Sequence, residues 1–309
     1  MKIYRSLEEF EGVKNPVVTI GTFDGVHIGH QRIIQKMKTE AARIDGETVL
    51  VTFDPHPRLV IHADSKNLKF INTRKKKFER LEKEGIDHLI VIPFTREFSK
   101  TTSQEFIKNI IVDKINAKKL IIGYDHHFGK NRLGDINELY DLGKKHGFTV
   151  ARVSAQSVNR INVSSTKIRK ALEEGKIRKA NELLGYEYSI TGTVVMGEKI
   201  GRKIGFPTAN IDLQDEYKLI TANGVYACRI EYGGEMYKGM GNIGVRPTVN
   251  HSDLTIEVHI FNFKKEIYGE EISIYFVDRI RDENKFDNLE LLRQQLLKDR
   301  ETIKKILED

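Results

Sequence analysis

The stretch Val17-Val-Thr-Ile-Gly-Thr-Phe-Asp-Gly-Val-His-Ile-Gly-His30 decides how the first half of the chain is read. Four residues suited to a buried strand run straight into a turn containing Gly21, Gly25 and Gly29, and a helical pattern follows. Glycines let a ligand approach the backbone closely. The helix N-terminus behind them offers unpaired N–H groups and the positive end of a dipole to phosphate. His27 and His30, three apart, can point from one helix face toward the same anion. The same pair could instead be polar surface residues of a tight turn. No third ligand is spaced nearby for a zinc site.

Outward from this turn, short apolar runs alternate with helix-length segments: Val49 to Phe53, Leu89 to Ile92, Leu120 to Ile122 and Phe148 to Val153. Strands rich in Val and Ile with helices between them predict an α/β domain, a parallel sheet covered on both faces. Nucleotides bind such sheets at the carboxyl ends of the strands. From Tyr186 the pattern changes to closely spaced strands, among them Tyr188 to Val195, Val225 to Glu231, Leu254 to Phe261 and Ile272 to Val277. That pattern predicts an antiparallel β-barrel or sandwich. Helical spacing returns at the end, with Leu289, Leu292, Leu296, Ile303 and Leu307 on one face, so a terminal helix is expected to pack on the barrel. Two domains are expected, 1–185 and 186–309.

Composition narrows the classes. The single cysteine, Cys228, excludes an internal disulfide and suits a reducing compartment. No apolar run approaches the roughly 18 residues that span a bilayer, and Met1 to Gly12 lacks a signal-peptide core, so a soluble cytoplasmic protein is expected. A net charge of +7 suits a polyanionic ligand without choosing among nucleotide, nucleic acid and membrane. Arg74-Lys-Lys-Lys77, the densest basic run, reads as a solvated helix start.

Two further segments carry chemistry. Ser164-Ser-Thr-Lys-Ile-Arg169 opens a helix with hydroxyls and sets Arg169 one turn inward, where a guanidinium can hold a leaving pyrophosphate, although taken alone the segment reads more plainly as a capping motif with a solvated arginine. With Gly21 to His30 it resembles the histidine-rich and serine-threonine-arginine motifs of the nucleotidyltransferase superfamily. Thr52-Phe-Asp-Pro-His-Pro57 and Gly123-Tyr-Asp-His-His-Phe-Gly129 resemble the bacterial FAD synthetase branch. His126-His127 stands where many relatives carry an aromatic-arginine pair. In the second half, Gly201-Arg-Lys-Ile-Gly-Phe-Pro-Thr-Ala-Asn210 presents Thr208 and Asn210 from a proline-fixed turn, two oxygen ligands able to complete a Mg²⁺ shell shared with ATP. A generic β-turn is the plainer reading. Leu254 to Ile260 alternates, placing Thr255, Glu257 and His259 on one face. These segments, with Asn242 to Thr248, Tyr268-Gly269 and Arg281 to Phe286, resemble riboflavin kinases.

The whole chain therefore resembles the bifunctional riboflavin kinase/FMN adenylyltransferases. The resemblance implies a Rossmann-like nucleotidyltransferase domain followed by a riboflavin kinase barrel, which phosphorylate riboflavin and then adenylylate FMN to FAD. It implies catalytic roles for His27, His30 and Arg169 in the first domain and for Glu257, as base, in the second. ATP and flavin binding would fall on Gly21, Phe23, Asp24, Gly25, Gly29, Asp54, His56, Pro57, Asp125, Ser164, Ser165 and Thr166. In the second domain it would fall on Gly201, Arg202, Lys203, Gly205, Pro207, Thr208, Asn210, Asn242 and Arg246, with Thr208 and Asn210 holding Mg²⁺. The implied partners are riboflavin, FMN and ATP, with no nucleic acid, membrane or obligate protein partner. Two alternatives stay open: one surviving activity, or an RNA-binding protein with a nucleotidyltransferase-like domain.

Overall fold

A computed structural model describes residues 1–61, 68–123, 136–153, 163–247 and 252–308. The chain forms two compact units, Met1–Ser165 and Thr166–Asp309.

The first unit is built on six parallel strands: β1 (Lys2–Tyr4), β2 (Val17–Ile20), β3 (Thr48–Asp54), β4 (His88–Pro93), β5 (Lys119–Ile122) and β6 (Thr149–Arg152), in the order β1-β4-β3-β2-β5-β6. The expected strands are present, and β1 is an addition. Their unbroken apolar runs follow from burial on both faces. Val18, Ile20, Val49, Val51, Ile90, Ile92, Leu120 and Ile122 join one core with Phe106, Ile110 and Leu139. Val17, Leu50, Leu89, Val91 and Ile121 join the other with Ile34, Met37, Ala41 and Leu81. The last four belong to α1 (Ile28–Arg43) and α3 (Arg74–Lys83); α2 (Pro57–Ile61) lies between them. Helix α4 (Ser103–Phe106) continues as a π-wound stretch to Lys114, and α5 (Ile136–His146) covers the same face. The strand order reverses at β2, whose neighbours are β3 on one side and β5 on the other. That is the position at which sheets of this kind leave a crevice beyond the strand ends.

The second unit begins with α6 (Ser165–Glu173) and α7 (Ile177–Leu184). Asn181 on α7 donates to the Phe276 carbonyl and accepts from the Tyr188 N–H, both at 2.8 Å. The compact unit therefore starts ahead of the change in strand pattern at residue 186. Strands β7 (Ser189–Val195), β8 (Ala209–Asp212), β9 (Gly224–Tyr232), β10 (Glu235–Pro247), β11 (Ser252–Ile260) and β12 (Glu271–Arg281) close a barrel in the order β10-β11-β8-β7-β12-β9. Tyr226 and Phe276 meet edge-to-face inside it at 5.2 Å, both fully buried. A short helix α8 (Ile200–Lys203) precedes β8, and α9 (Leu289–Leu307) ends the chain.

Helix α9 packs more narrowly than its apolar spacing predicts. Ile303 and Leu307 are buried against Phe206, Val225, Ala227 and Met240, whereas Leu289 is 48% exposed. Leu296 and Leu297 are half-buried against the same cluster, and a charged contact anchors the middle of the helix. Buried Asp299 receives Arg281 Nε at 3.0 Å and Nη2 at 2.8 Å, with Gln295 also donating to it at 2.8 Å. Asp299→Ala should cost about 3–5 kcal/mol, because it strands a guanidinium with most of its surface covered. Urea unfolding of the variant measures this, and Asp299→Asn should cost less.

Glu40 plays a similar part in the first unit. It is buried on α1 and receives Lys119 Nζ of β5 at 2.5 Å, Lys36 Nζ at 2.7 Å and Arg43 at 3.0 Å. The bonds from Lys119 and Lys36 hold its carboxyl down from 4.5 to about 2. A carboxylate depressed by folding adds stability above its unfolded pKa and loses that stability as pH falls toward its folded one. Glu40→Gln should therefore be less stable than the parent at pH 7, and the gap should close between pH 4.5 and 2 in urea melts at stepped pH.

Candidate active sites

The first site grows from the end of β2. Phe23 (φ 50°), Gly25 (φ 84°) and Val26 (φ 36°) all take left-handed backbone, a conformation unfavourable for phenylalanine and more so for a β-branched valine. The turn is held by Asp24, which is buried and accepts the Ile71 N–H at 3.0 Å and the Asn72 N–H at 3.3 Å. Ser165 Oγ donates to the Asp24 carbonyl at 2.9 Å, so the serine-rich segment meets this turn.

His27 caps α1, its Nδ1 accepting the His30 N–H at 3.4 Å. The two imidazoles stack 3.7 Å apart, and the Phe23 ring lies 4.6 Å from that of His30. Burial pushes His30 well below its usual pKa, and the nearby His27 and Lys77 push in the same direction. Its Nδ1 is buried without a hydrogen-bond partner among the described residues. His30 is thus held neutral, and the stacked pair lines a helix N-terminus.

The other first-unit residues cluster at the end of β3. Asp54 accepts from Arg74 at 2.7 Å. His56 lies 4.8 Å from the Phe70 ring and accepts the Arg58 N–H at 3.1 Å, and Pro57 opens α2. Gly21 and Gly29 leave room for the rings of Phe23 and His27, where an added Cβ would come within 3.0 Å and 3.1 Å. Thr166 and Arg169 lie on α6, Thr166 exposed and Arg169 half-buried. Asp125 and the His126-His127 pair lie outside the described residues, as does the Arg246 side chain.

The second site lies on the barrel wall. Along β11 Ile256, Val258 and Ile260 are buried, leaving Thr255, Glu257 and His259 on the opposite face. Glu257 pairs in register with Asn210 on β8 and with Asn242 on β10, so three polar side chains form a row across three strands. Thr208 Oγ1 donates to Glu257 at 3.0 Å. Ahead of this row, Lys199 (φ 60°) leads into α8, and the Phe206 N–H returns to the Gly201 carbonyl at 2.8 Å. Gly205 (φ 81°) completes the turn. Arg202 is committed to Glu266 at 2.9 Å and the Tyr268 hydroxyl at 3.2 Å, and Lys203 and Pro207 are exposed.

The residues of these two sites coincide with two family models: FAD synthetase over residues 10–167 and riboflavin kinase over 184–307. The chain belongs to the bifunctional riboflavin kinase/FMN adenylyltransferases. A bifunctional riboflavin kinase/FMN adenylyltransferase of Listeria monocytogenes is 41% identical over 92% of this chain and 90% of its own. One of Buchnera aphidicola from Schizaphis graminum is 38% identical over 99% and 98%. A crystal structure described as a macrolide-efflux protein from Streptococcus pneumoniae superposes with a TM-score of 0.89 at 30% identity, covering 98% of both chains. Among the described residues of this family member, no helix is long and apolar enough to cross a membrane.

Two residues near these sites have contacts to which the motifs assign no role. Lys77 belongs to the basic run read as solvated, yet its Nζ reaches the Thr22 carbonyl at 3.3 Å and Thr52 Oγ1 at 3.4 Å. The spacing to buried Leu81, one turn on, marks it as inward-facing. His259 fixes the turn before Thr208, its Nδ1–H donating to the Pro207 carbonyl at 2.7 Å. Gly201 shows how tightly that turn is closed, since an added Cβ would lie 2.1 Å from the Phe206 carbonyl oxygen. Gly201→Ala should displace Pro207 and Thr208 and cost about 1–3 kcal/mol, read by urea unfolding.

Proposed function

We propose that the barrel phosphorylates riboflavin to FMN with ATP, and that the parallel-sheet unit joins AMP from a second ATP to FMN, giving FAD and pyrophosphate. The single observation that carries the kinase reading is Glu257, met by Thr208 at 3.0 Å and in register with Asn210 and Asn242. A ribityl hydroxyl is a poor nucleophile at neutral pH and needs an acceptor for its proton. Glu257 supplies it from a strand whose other face is locked in the core. Asn210 and Asn242 line the approach, and the resemblance alone adds Arg246; Gly201, Arg202, Lys203, Gly205 and Pro207 shape the nucleotide loop. Residues 186–309 carry this chemistry, and 166–185 brace the barrel through Asn181.

The donor set suits Mg²⁺, a hard cation that keeps waters and borrows phosphate oxygens. Thr208 gives its hydrogen to Glu257, which leaves its oxygen lone pairs available, and Asn210 adds an amide oxygen; these two would hold the ion. When bound, Mg²⁺ neutralises charge on the ATP phosphates.

In the first unit the nucleophile is the FMN phosphate, largely ionised with a second pKa of about 6, so no base and no covalent intermediate are needed. Catalysis there is alignment and charge stabilisation. His27 and His30 are assigned the phosphates, where the α1 N-terminus adds its N–H groups, and the resemblance gives Arg169 the leaving pyrophosphate. Asp24, Asp54, His56, Ser164 and Ser165 shape the nucleotide and flavin cradle, and the resemblance alone assigns Thr166 and Asp125 to it, Asp125 lying outside the described residues. Both reactions use small molecules of the cytoplasm, with no nucleic acid, membrane or second protein taking part.

Incubating the purified chain with riboflavin, ATP and Mg²⁺ and separating the flavins tests the reading; FMN and then FAD should accumulate. Glu257→Gln should lower FMN formation by about two to four orders of magnitude while supplied FMN is still converted to FAD. His30→Ala should depress FAD formation and spare FMN formation. Loss of both activities in either folded variant would contradict two separate sites.

A further inference from the structure

Lys77 has no part in the motifs that define either reaction, yet its surroundings are those of an active-site cation. Its ammonium bridges two segments that carry the first site: the Thr22 carbonyl, inside the Gly21 to His30 turn, and Thr52 Oγ1, at the end of β3. Helix α3 is set to aim it there. Thr73 Oγ1 caps the helix by accepting the Lys76 N–H, and Leu81, one turn beyond Lys77, is buried in the core. The segment just ahead of α3 is tied to the same turn through the Ile71 and Asn72 N–H groups on Asp24. The neighbouring Arg74, on the outer side, is neutralised by Asp54.

We propose that Lys77 is a positioning residue for adenylyl transfer, locking the His27–His30 turn against the end of β3 and presenting a fixed positive charge to the nucleotide phosphates. The inference rests on the first unit being the adenylyltransferase. A bare lysine beside two carboxylates could be a structural ion pair and nothing more. Three features argue otherwise. Among the described residues its hydrogen bonds go to a carbonyl and a hydroxyl, not to a carboxylate. Burial lowers its pKa, with Asp24 and Asp54 opposing and Arg74 assisting, as expected of a cation kept out of water. And its charge acts on His30, whose ring stacks on His27 and whose Nδ1 has no partner among the described residues. A polyanion entering at the α1 N-terminus would meet Lys77 and both imidazoles together.

The test uses the full chain, with Lys77→Met, Lys77→Arg and His30→Ala. Lys77→Met should lower kcat for FAD formation from FMN by roughly 10- to 100-fold, the usual scale for one charge-assisted contact, with FMN formation unchanged as internal control. Lys77→Arg, which keeps the charge, should recover part of that loss. Removing a nearby positive charge should also move the His30 titration, followed by its ring protons in NMR, to higher pH in Lys77→Met and not in Lys77→Arg. The groups facing that ring are His27, Lys77 and the Phe23 edge. A wild-type rate of FAD formation in Lys77→Met overturns the proposal. So does an equal loss in both lysine variants with the His30 titration unmoved, which would make Lys77 a structural brace only. If Lys77→Met does not fold, Lys77→Arg decides: an inactive, folded arginine variant overturns the role of the charge. Normal FAD formation in His30→Ala would instead mean that the reading of the first site is wrong.

Discussion

A strand offers its side chains only two directions, and both units depend on how that restriction is used. In the parallel sheet both directions lead into apolar cores, so β2, β3, β4 and β5 have no side left for polar chemistry along their length. Function is forced to the strand ends, where the backbone turns and N–H groups lack partners. In the barrel one direction faces the packed interior and the other does not. Glu257 uses the second direction while Ile256 and Val258 on either side hold the strand from the first. A one-residue slip of β11 would bury the carboxylate and expose both aliphatics.

At the strand ends of the first unit, a single buried carboxylate takes over the organising role. A turn with phenylalanine and valine in left-handed backbone is costly in isolation, on the order of 1–3 kcal/mol per strained residue. Asp24 offsets that cost through two N–H bonds reaching 47 and 48 residues along the chain, to the segment that starts α3. The same contacts orient Lys77, and the Asp24 carbonyl receives Ser165. One acidic residue thus sets the relation between the histidine turn, the basic helix and the serine segment.

Much of this was legible in the sequence, for identifiable reasons. Strands buried on both faces are continuous runs of Val, Ile and Leu, so β2 to β5 could be read to within a residue or two. Clean alternation on β11 placed Glu257 on the polar face, and only the resemblance to riboflavin kinases singled it out there. Strand β10 was not read as a whole, since Gly239, Gly241 and Gly244 interrupt its apolar pattern. They are required there: a Cβ on Gly241 would meet Cys228 Sγ at 2.9 Å. Strand β1 is three residues long, too short for any period. Lys77 was hidden by composition, because three cations precede it and only its phase relative to Leu81 separates it from them. Asp299 broke the apolar face of α9 for a reason the helix itself does not contain, namely Arg281 on β12.

The two sites differ in how they treat carboxylates, and the difference follows from the two nucleophiles. An FMN phosphate arrives with close to two negative charges, and a bare carboxylate 4 Å away would oppose it by about 4 kcal/mol per unit charge at an effective dielectric of 20. Among the described residues of the first site, the carboxylates of Asp24 and Asp54 are both engaged, Asp24 by backbone N–H groups and Asp54 by Arg74. Beside them stand a helix N-terminus, a stacked imidazole pair and a lysine. A ribityl hydroxyl poses the opposite problem, because it is neutral and must lose a proton. There a carboxylate is wanted, and Glu257 stands on the open face of β11, accepting the Thr208 hydroxyl at 3.0 Å. A single pocket could not satisfy both demands. The charge needed to accept the phosphate would weaken the base, and the base would repel the phosphate, so the two reactions are separated onto two units of one chain.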